Sequence, residues 1–194
     1  MPMLDARVEP LERVVDACAE VIFAGGTIVF PSDTSYCLAC DPYRIATMHE
    51  PMELLVASPA EFLEYAPGNP LAVLASKRLL PGPVTLLVRR PSYISDDVVV
   101  GAPTVGLHVP DEPLARAILE RAGPLVVASV ADRTRSGVEL IIENGPTRYS
   151  SESTIVDLTG RHPRLVREGA LPYARLAELL GPVERQTVKV RSQS

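Results

Sequence analysis

TIVFPSDTSYCLACDPYRIATMHEP, Thr27 to Pro51, is the stretch on which the fold turns. It opens on a short apolar strand, Thr27 to Phe30, which Pro31 ends. Ser32-Asp33-Thr34-Ser35 follows directly. Hydroxyls and a carboxylate just past a strand end suit ligand binding in an α/β sheet. They equally suit a turn closed by Asx and Ser/Thr hydrogen bonds, and position alone leaves both readings open. Cys37-Leu-Ala-Cys40 then has the spacing of half a zinc knuckle or a redox pair. A closed zinc site needs four ligands. The third cysteine, Cys18, falls in a helical pattern, and His49, His108 and His162 are not in H-x₃₋₅-H spacing. The pair therefore reads as two small apolar residues at a strand end, and no structural metal is expected.

Upstream, Val8 to Ala24 reads as an amphipathic helix: Leu11, Val14, Val15, Cys18, Val21 and Ile22 share one face. Gly25-Gly26 stops it. Downstream, Glu53 to Ala57 is a short strand. Ser58-Pro59-Ala60-Glu61 is a helix start, with Ser58 as N-cap. Pro70 to Leu80 is helical, and Pro81-Gly82-Pro83 breaks it before a strand over Val84 to Arg89. That break could cradle an anion but reads as a plain helix-to-strand turn. Thr104 to Val109 is a strand, Asp111 to Ala122 a helix with Asp111 as N-cap, and Leu125 to Ser129 a strand. The last third turns to β: Val138 to Glu143, Ser153 to Leu158 and Pro163 to Val166, with a closing helix over Leu171 to Leu180. Strands alternating with helices give an α/β domain with a mixed sheet.

The 194 residues suit one domain, taken as 8–182 with a polar tail at 183–194. Hydrophobic residues make up 46% and charged residues 22%, ordinary globular values that leave no apolar run long enough for a membrane span. With no signal-peptide pattern and an odd cysteine count, the expected compartment is the cytoplasm. The net charge of -5 argues against a strong nucleic-acid footprint unless the fold segregates a basic patch. Six arginines between Ala131 and Gly169 are matched by six carboxylates, which gives no basic stripe there. Neither a P-loop nor a G-x-G-x-x-G run is present.

Six segments occur in an order that resembles the YrdC-like family. Thr27 to Asp41 is similar to its "PTDTxYGLxCD" opening, and Leu80 to Leu87 to its "WPGPVT" segment. Thr104 to Pro110 resembles "xVGVRVP". Pro124 to Ser129 with Ser136-Gly137 resembles "PLxxTSANxSG". Ser153 to Asp157 and Leu165 to Gly169 match "STIVD" and "ILREG". The resemblance covers roughly residues 10 to 172. It implies a single α/β domain with a twisted open sheet flanked by helices and a concave site. It also implies L-threonylcarbamoyladenylate synthesis from threonine, bicarbonate and ATP, with magnesium accompanying the nucleotide, in service of a tRNA modification. Some members are described as binding double-stranded RNA or acting in ribosome maturation. By resemblance Thr34, Ser129, Ser136, Ser153 and Arg167 belong to the threonine and nucleotide site; their bland alternative is fold-keeping turn residues.

Such chemistry brings a carbamate against a triphosphate, so cations must screen the two anions. The chain departs from the family at those positions. Met48 and Glu50 stand where the family has the lysine and arginine of Lys-x-Arg-Pro. His108 replaces the arginine of "VRVP". The asparagine of "SAN" falls near Ala131 or Asp132, and Cys37 replaces a glycine, where its side chain would narrow the pocket. A carboxylate in place of a cation swings about 4 kcal/mol of attraction at ~4 Å into repulsion, while tenfold in rate is ~1.4 kcal/mol. The expectation is a degenerate relative that keeps a nucleotide- or RNA-binding surface. An active synthase with Arg44, Arg133 or Arg135 as stand-in cations and a non-enzymatic double-stranded RNA-binding factor are the alternatives.

Overall fold

Short apolar runs punctuated by proline and glycine cut the chain into many brief elements. The computed structural model describes residues 2–43, 53–99, 101–130 and 137–185. In chain order they form β1 (Met3–Asp5), α1 (Leu11–Phe23), β2 (Ile28–Pro31), β3 (Tyr36–Cys40) and β4 (Glu53–Leu55). Then come α2 (Pro59–Glu64), α3 (Pro70–Leu79), β5 (Val84–Arg89), α4 (Asp96–Val99), β6 (Thr104–His108), α5 (Pro113–Ala122) and β7 (Leu125–Ser129). The chain closes with β8 (Leu140–Glu143), β9 (Thr154–Asp157), β10 (Arg164–Arg167), α6 (Tyr173–Leu180) and β11 (Glu184–Arg185).

Local chemistry sets the helix starts. Ser58 Oγ accepts the Glu61 N–H at 3.1 Å, and Pro59 takes the first helical position of α2. Asn69 does the same for α3, accepting from Leu71 and Ala72. The expected cap of α5 is displaced by one residue. Pro113 opens the helix, so Glu112 is the cap and its carboxylate accepts the Leu114 N–H at 3.2 Å. Asp111 instead donates its N–H to Asp33 Oδ2 at 3.1 Å and pairs with Arg148.

The eleven strands among the described residues make one mixed sheet in the order β1-β8-β2-β3-β7-β4-β6-β5-β9-β10-β11. β2, β3, β7 and β4 run antiparallel to their neighbours in turn, whereas β4–β6 and β5–β9 are parallel. Because side chains alternate along each strand, the sheet has two differently covered faces. On the first, α1 and α5 pack together over β2 and β8. They bury Val14, Cys18, Ile22, Ile118 and Leu119 against Phe30, Cys37, Leu55 and Val127. On the second, α2, α3, α4 and α6 cover Leu54, Leu86, Leu107, Val126 and Val156. Cys37 belongs to the first core and Cys40 to the second. Three residues apart on one strand, their thiols point to opposite faces and cannot chelate one ion or close one disulfide.

The α1/α5 pair covers Leu55 at the end of β4 but leaves Glu53, Thr85, Leu87, Gly106 and Ile155 open on the same face. Among the described residues, no helix is long and apolar enough to cross a membrane. β11 pairs with β10, and Val183 is buried, so the sheet continues past residue 182.

Candidate functional site

The open part of the first face is a concave cavity of about 330 Å³. Register explains its floor. Glu53 lies opposite Gly106 and Gly106 opposite Leu87, while Thr85 lies opposite Ile155. These alternate positions all project to one side, and their neighbours Leu54, Leu86, Leu107 and Val156 fill the other core. Gly106 keeps the floor low: a Cβ there would sit 3.0 Å from Thr85 Cγ2 and 3.6 Å from Glu53 Cβ. The rim comes from the strand ends. Thr34 and Ser35 enter from the turn between β2 and β3, Ser129 from the end of β7, Glu152 and Ser153 from before β9, and Arg167 from the end of β10. A second cavity of about 400 Å³ shares Thr34, Ser35, Ser129 and Glu152 and adds Thr147, Ser150 and Ser151.

Thr34, Ser129, Ser153 and Arg167, picked out from sequence, thus meet at one cleft. Ser129 Oγ donates to Ser35 Oγ at 3.1 Å. Thr34 holds the rim through its carbonyl, which accepts from Thr147 Oγ1 at 2.8 Å. Ser136, Ala131, Met48 and Glu50 lie outside the described residues, as do Arg44, Arg133 and Arg135. The Ser32 to Ser35 stretch divides its labour. Ser32 and Asp33 are fully buried and face inward, whereas Thr34 and Ser35 face the cleft. Cys37 packs under α1 and α5 instead of narrowing the cavity.

A continuous polar chain runs beneath and along the floor. His108 is 0% exposed, with Nε2 3.1 Å from Asp33 Oδ1 and Nδ1 3.8 Å from Glu53 Oε1. Neither ring nitrogen is aligned for a hydrogen bond, so the attraction is that of ion pairs. Burial pushes the imidazole pKa down, but the two carboxylates outweigh it and raise it from 6.5 to about 10. Burial likewise opposes ionisation of Asp33, yet His108, the Asp111 N–H and the Ser32 hydroxyl hold its pKa below the ordinary value. Glu53 is kept ionised against its burial by His108, Thr85 and Arg167. Thr85 Oγ1 donates to Glu53 Oε2 at 2.5 Å and lies 2.6 Å from Ser153 Oγ. Arg167 donates through Nη2 to the Ser153 carbonyl at 3.0 Å and pairs with Glu152.

His108 therefore carries a charge, but it does not line the cleft as a substitute for an arginine would. Its charge is neutralised by Asp33 and Glu53. Sequence reasoning overlooked Glu53, Thr85 and Glu152. The signal for Glu53 was a lone carboxylate opening an apolar strand, Glu53-Leu-Leu-Val56; for Thr85, a hydroxyl between Val84 and Leu86. The "STIVD" and "LVREG" matches gain a physical reading. Thr154 Oγ1 accepts the N–H groups of Gly169 and Leu171 at 3.0 Å and donates to the Leu171 carbonyl at 2.7 Å. That clamp fixes the turn that delivers Arg167.

Known proteins share this fold. A family model described as telomere recombination, for Sua5, YciO and YrdC proteins, matches residues 20–136. A threonylcarbamoyl-AMP synthase of Pyrococcus abyssi is 26% identical over 208 residues, covering 93% of this chain and 61% of that protein. The crystal structure of P. abyssi Sua5 complexed with L-threonine superimposes with a TM-score of 0.82 at 24% identity, over 95% of this chain and 62% of that one. YciO of Escherichia coli superimposes with a TM-score of 0.72 at 25% identity, over 87% and 94%. The chain therefore spans under two thirds of the P. abyssi protein but nearly all of YciO. With more than half its length matched by the family model, the chain belongs to the Sua5/YciO/YrdC family.

Proposed function

We propose that this protein holds threonine or a similar small amino acid in its cleft but does not efficiently convert it to an adenylate. The observation that carries this reading is the charge of the cavity lining. Among the described lining residues Arg167 is the cation, and it is already engaged by Glu152 and the Ser153 carbonyl. Glu53 places a second carboxylate on the floor. Among the described residues, a triphosphate brought here meets two negative groups and one compensated guanidinium, where phosphoryl chemistry calls for positive groups. Met48 and Glu50, at the family's Lys-x-Arg positions, push the same way. The apolar walls of Leu87, Val127 and Ile155 suit a small aliphatic side chain and the hydroxyls suit its polar ends. Support for the amino-acid part comes from the P. abyssi relative, whose structure holds L-threonine.

Pyrophosphate release in the presence of threonine, bicarbonate, ATP and magnesium is the test. Release no faster than from ATP and bicarbonate alone is expected. Robust threonine-dependent release would overturn the proposal in favour of an active synthase. That second reading is favoured by the meeting of Thr34, Ser129, Ser153 and Arg167 at one cleft. Under it Arg167→Ala abolishes turnover.

A further inference from the structure

The hydroxyl protons on the cavity floor can be assigned one by one. Glu53 is held ionised and so only accepts. Thr85 has one hydroxyl proton and gives it to Glu53 Oε2 at 2.5 Å. Ser153 Oγ is 2.6 Å from that same Thr85 oxygen, so Ser153 must be the donor in their contact. What Ser153 then offers the cleft is a lone pair, touched at 3.4 Å by Arg167 Nη2. Glu53 Oε1 stands 3.8 Å from His108, beyond hydrogen-bond reach, and the side chain is 25% exposed, toward the cavity. The line from Glu53 through Thr85 to Ser153 is thus a floor of acceptors. Charge agrees with it. Among the described groups in and beneath the cavity, Asp33, Glu53 and Glu152 are negative, and Arg167 and His108 positive, leaving one negative charge uncompensated.

We propose that this floor selects a ligand carrying an ammonium group, seated against Glu53 and Ser153, with Glu53 as the specificity-determining residue. The inference rests on the small-amino-acid reading above and orients the zwitterion with its nitrogen toward Glu53. A carboxylate or phosphate oxygen placed on the floor finds no donor there and faces Glu53 directly. Gly106 contributes by keeping the space above Glu53 and Thr85 free of a side chain.

Calorimetric titration of the unmodified protein with three probes tests it. L-Threonine carries both charged ends, L-threoninol the ammonium alone, and 3-hydroxybutyrate the carboxylate alone. A charge-assisted hydrogen bond implies that threoninol binds about tenfold or more tighter than 3-hydroxybutyrate, and that Glu53→Gln removes that advantage. Equal affinity for these two probes, unchanged threoninol binding by the Glu53→Gln variant, or no binding of any probe would overturn the inference. Glu53-dependent binding of threoninol without binding of threonine would keep the ammonium site and sink the threonine reading. Thr85→Val is the second variant, since it leaves the ion pairs intact. It frees the Ser153 proton to face the cleft and should raise the affinity for 3-hydroxybutyrate relative to threoninol. An unchanged ratio counts against the proton assignment.

Discussion

His108 joins the interior to the cleft without touching the ligand space. A buried cation between two carboxylates is weak evidence of net stability, but removing it alone leaves two uncompensated negative groups. His108→Gln should therefore destabilise the fold by about 3–5 kcal/mol in urea denaturation near neutrality. The pH dependence has a definite sign. The folded-state pKa of about 10 lies above the ordinary 6.5, so the His108 contribution is complete below 6.5 and is lost as pH climbs through about 10. The stability difference between wild type and His108→Gln should shrink over that window. A difference constant from pH 6.5 to 10 would mean that the imidazole is not charged in the fold. Little of this was legible in the sequence. A histidine in Gly-Leu-His-Val-Pro looks like any strand residue, and its partners Asp33 and Glu53 lie far from it along the chain. Strand register brings Glu53 to His108, and the turn between β2 and β3 brings Asp33.

At the scale of elements, the turn from β10 toward α6 positions the cleft's guanidinium, and it tolerates almost no added volume. A Cβ on Gly169 would stand 2.3 Å from the Glu152 carbonyl and 2.6 Å from that of Ser153, both backbone atoms with little freedom to yield. Gly169→Ala should cost about 2–3 kcal/mol and weaken ligand binding through a displaced Arg167. Full retention of stability in a thermal melt would show that the turn relaxes more easily than its geometry suggests. Elements with strong local signals could be read in advance. Ser58-Pro59 marked α2, and Val84 to Arg89 marked β5 to the residue. β3 could not be read this way, because Tyr36 to Cys40 is buried on both faces and shows no polar alternation. β1, of three residues, exists through its pairing with β8 and has no local pattern to announce it.

At the scale of the whole molecule, the cleft is a product of long-range pairing. β9, which follows Ser153, lies beside β5, about seventy residues earlier in the chain, and β4 is enclosed by β6 and β7. The order of family-like segments announced β2, β5, β6, β7, β9 and β10. It did not show that α1 and α5 cover β4 at Leu55 but leave Glu53, Thr85, Leu87, Gly106 and Ile155 open on the same face, where the cavity lies. The same two-faced sheet has a consequence for kinetics. Cys18 and Cys37 lie in one core and Cys40 in the other, all three buried, with burial raising the thiol pKa to about 12 for Cys18 and about 11 for Cys40. The thiolate is the nucleophile that attacks an alkylating reagent, so the native protein should resist labelling. In dilute urea, modification of Cys37 and Cys40 at one shared rate, followed by mass spectrometry, is the expected result, and faster capture of either would reveal that its layer opens first. The chain thus carries its own pair of clocks, one on each side of the sheet.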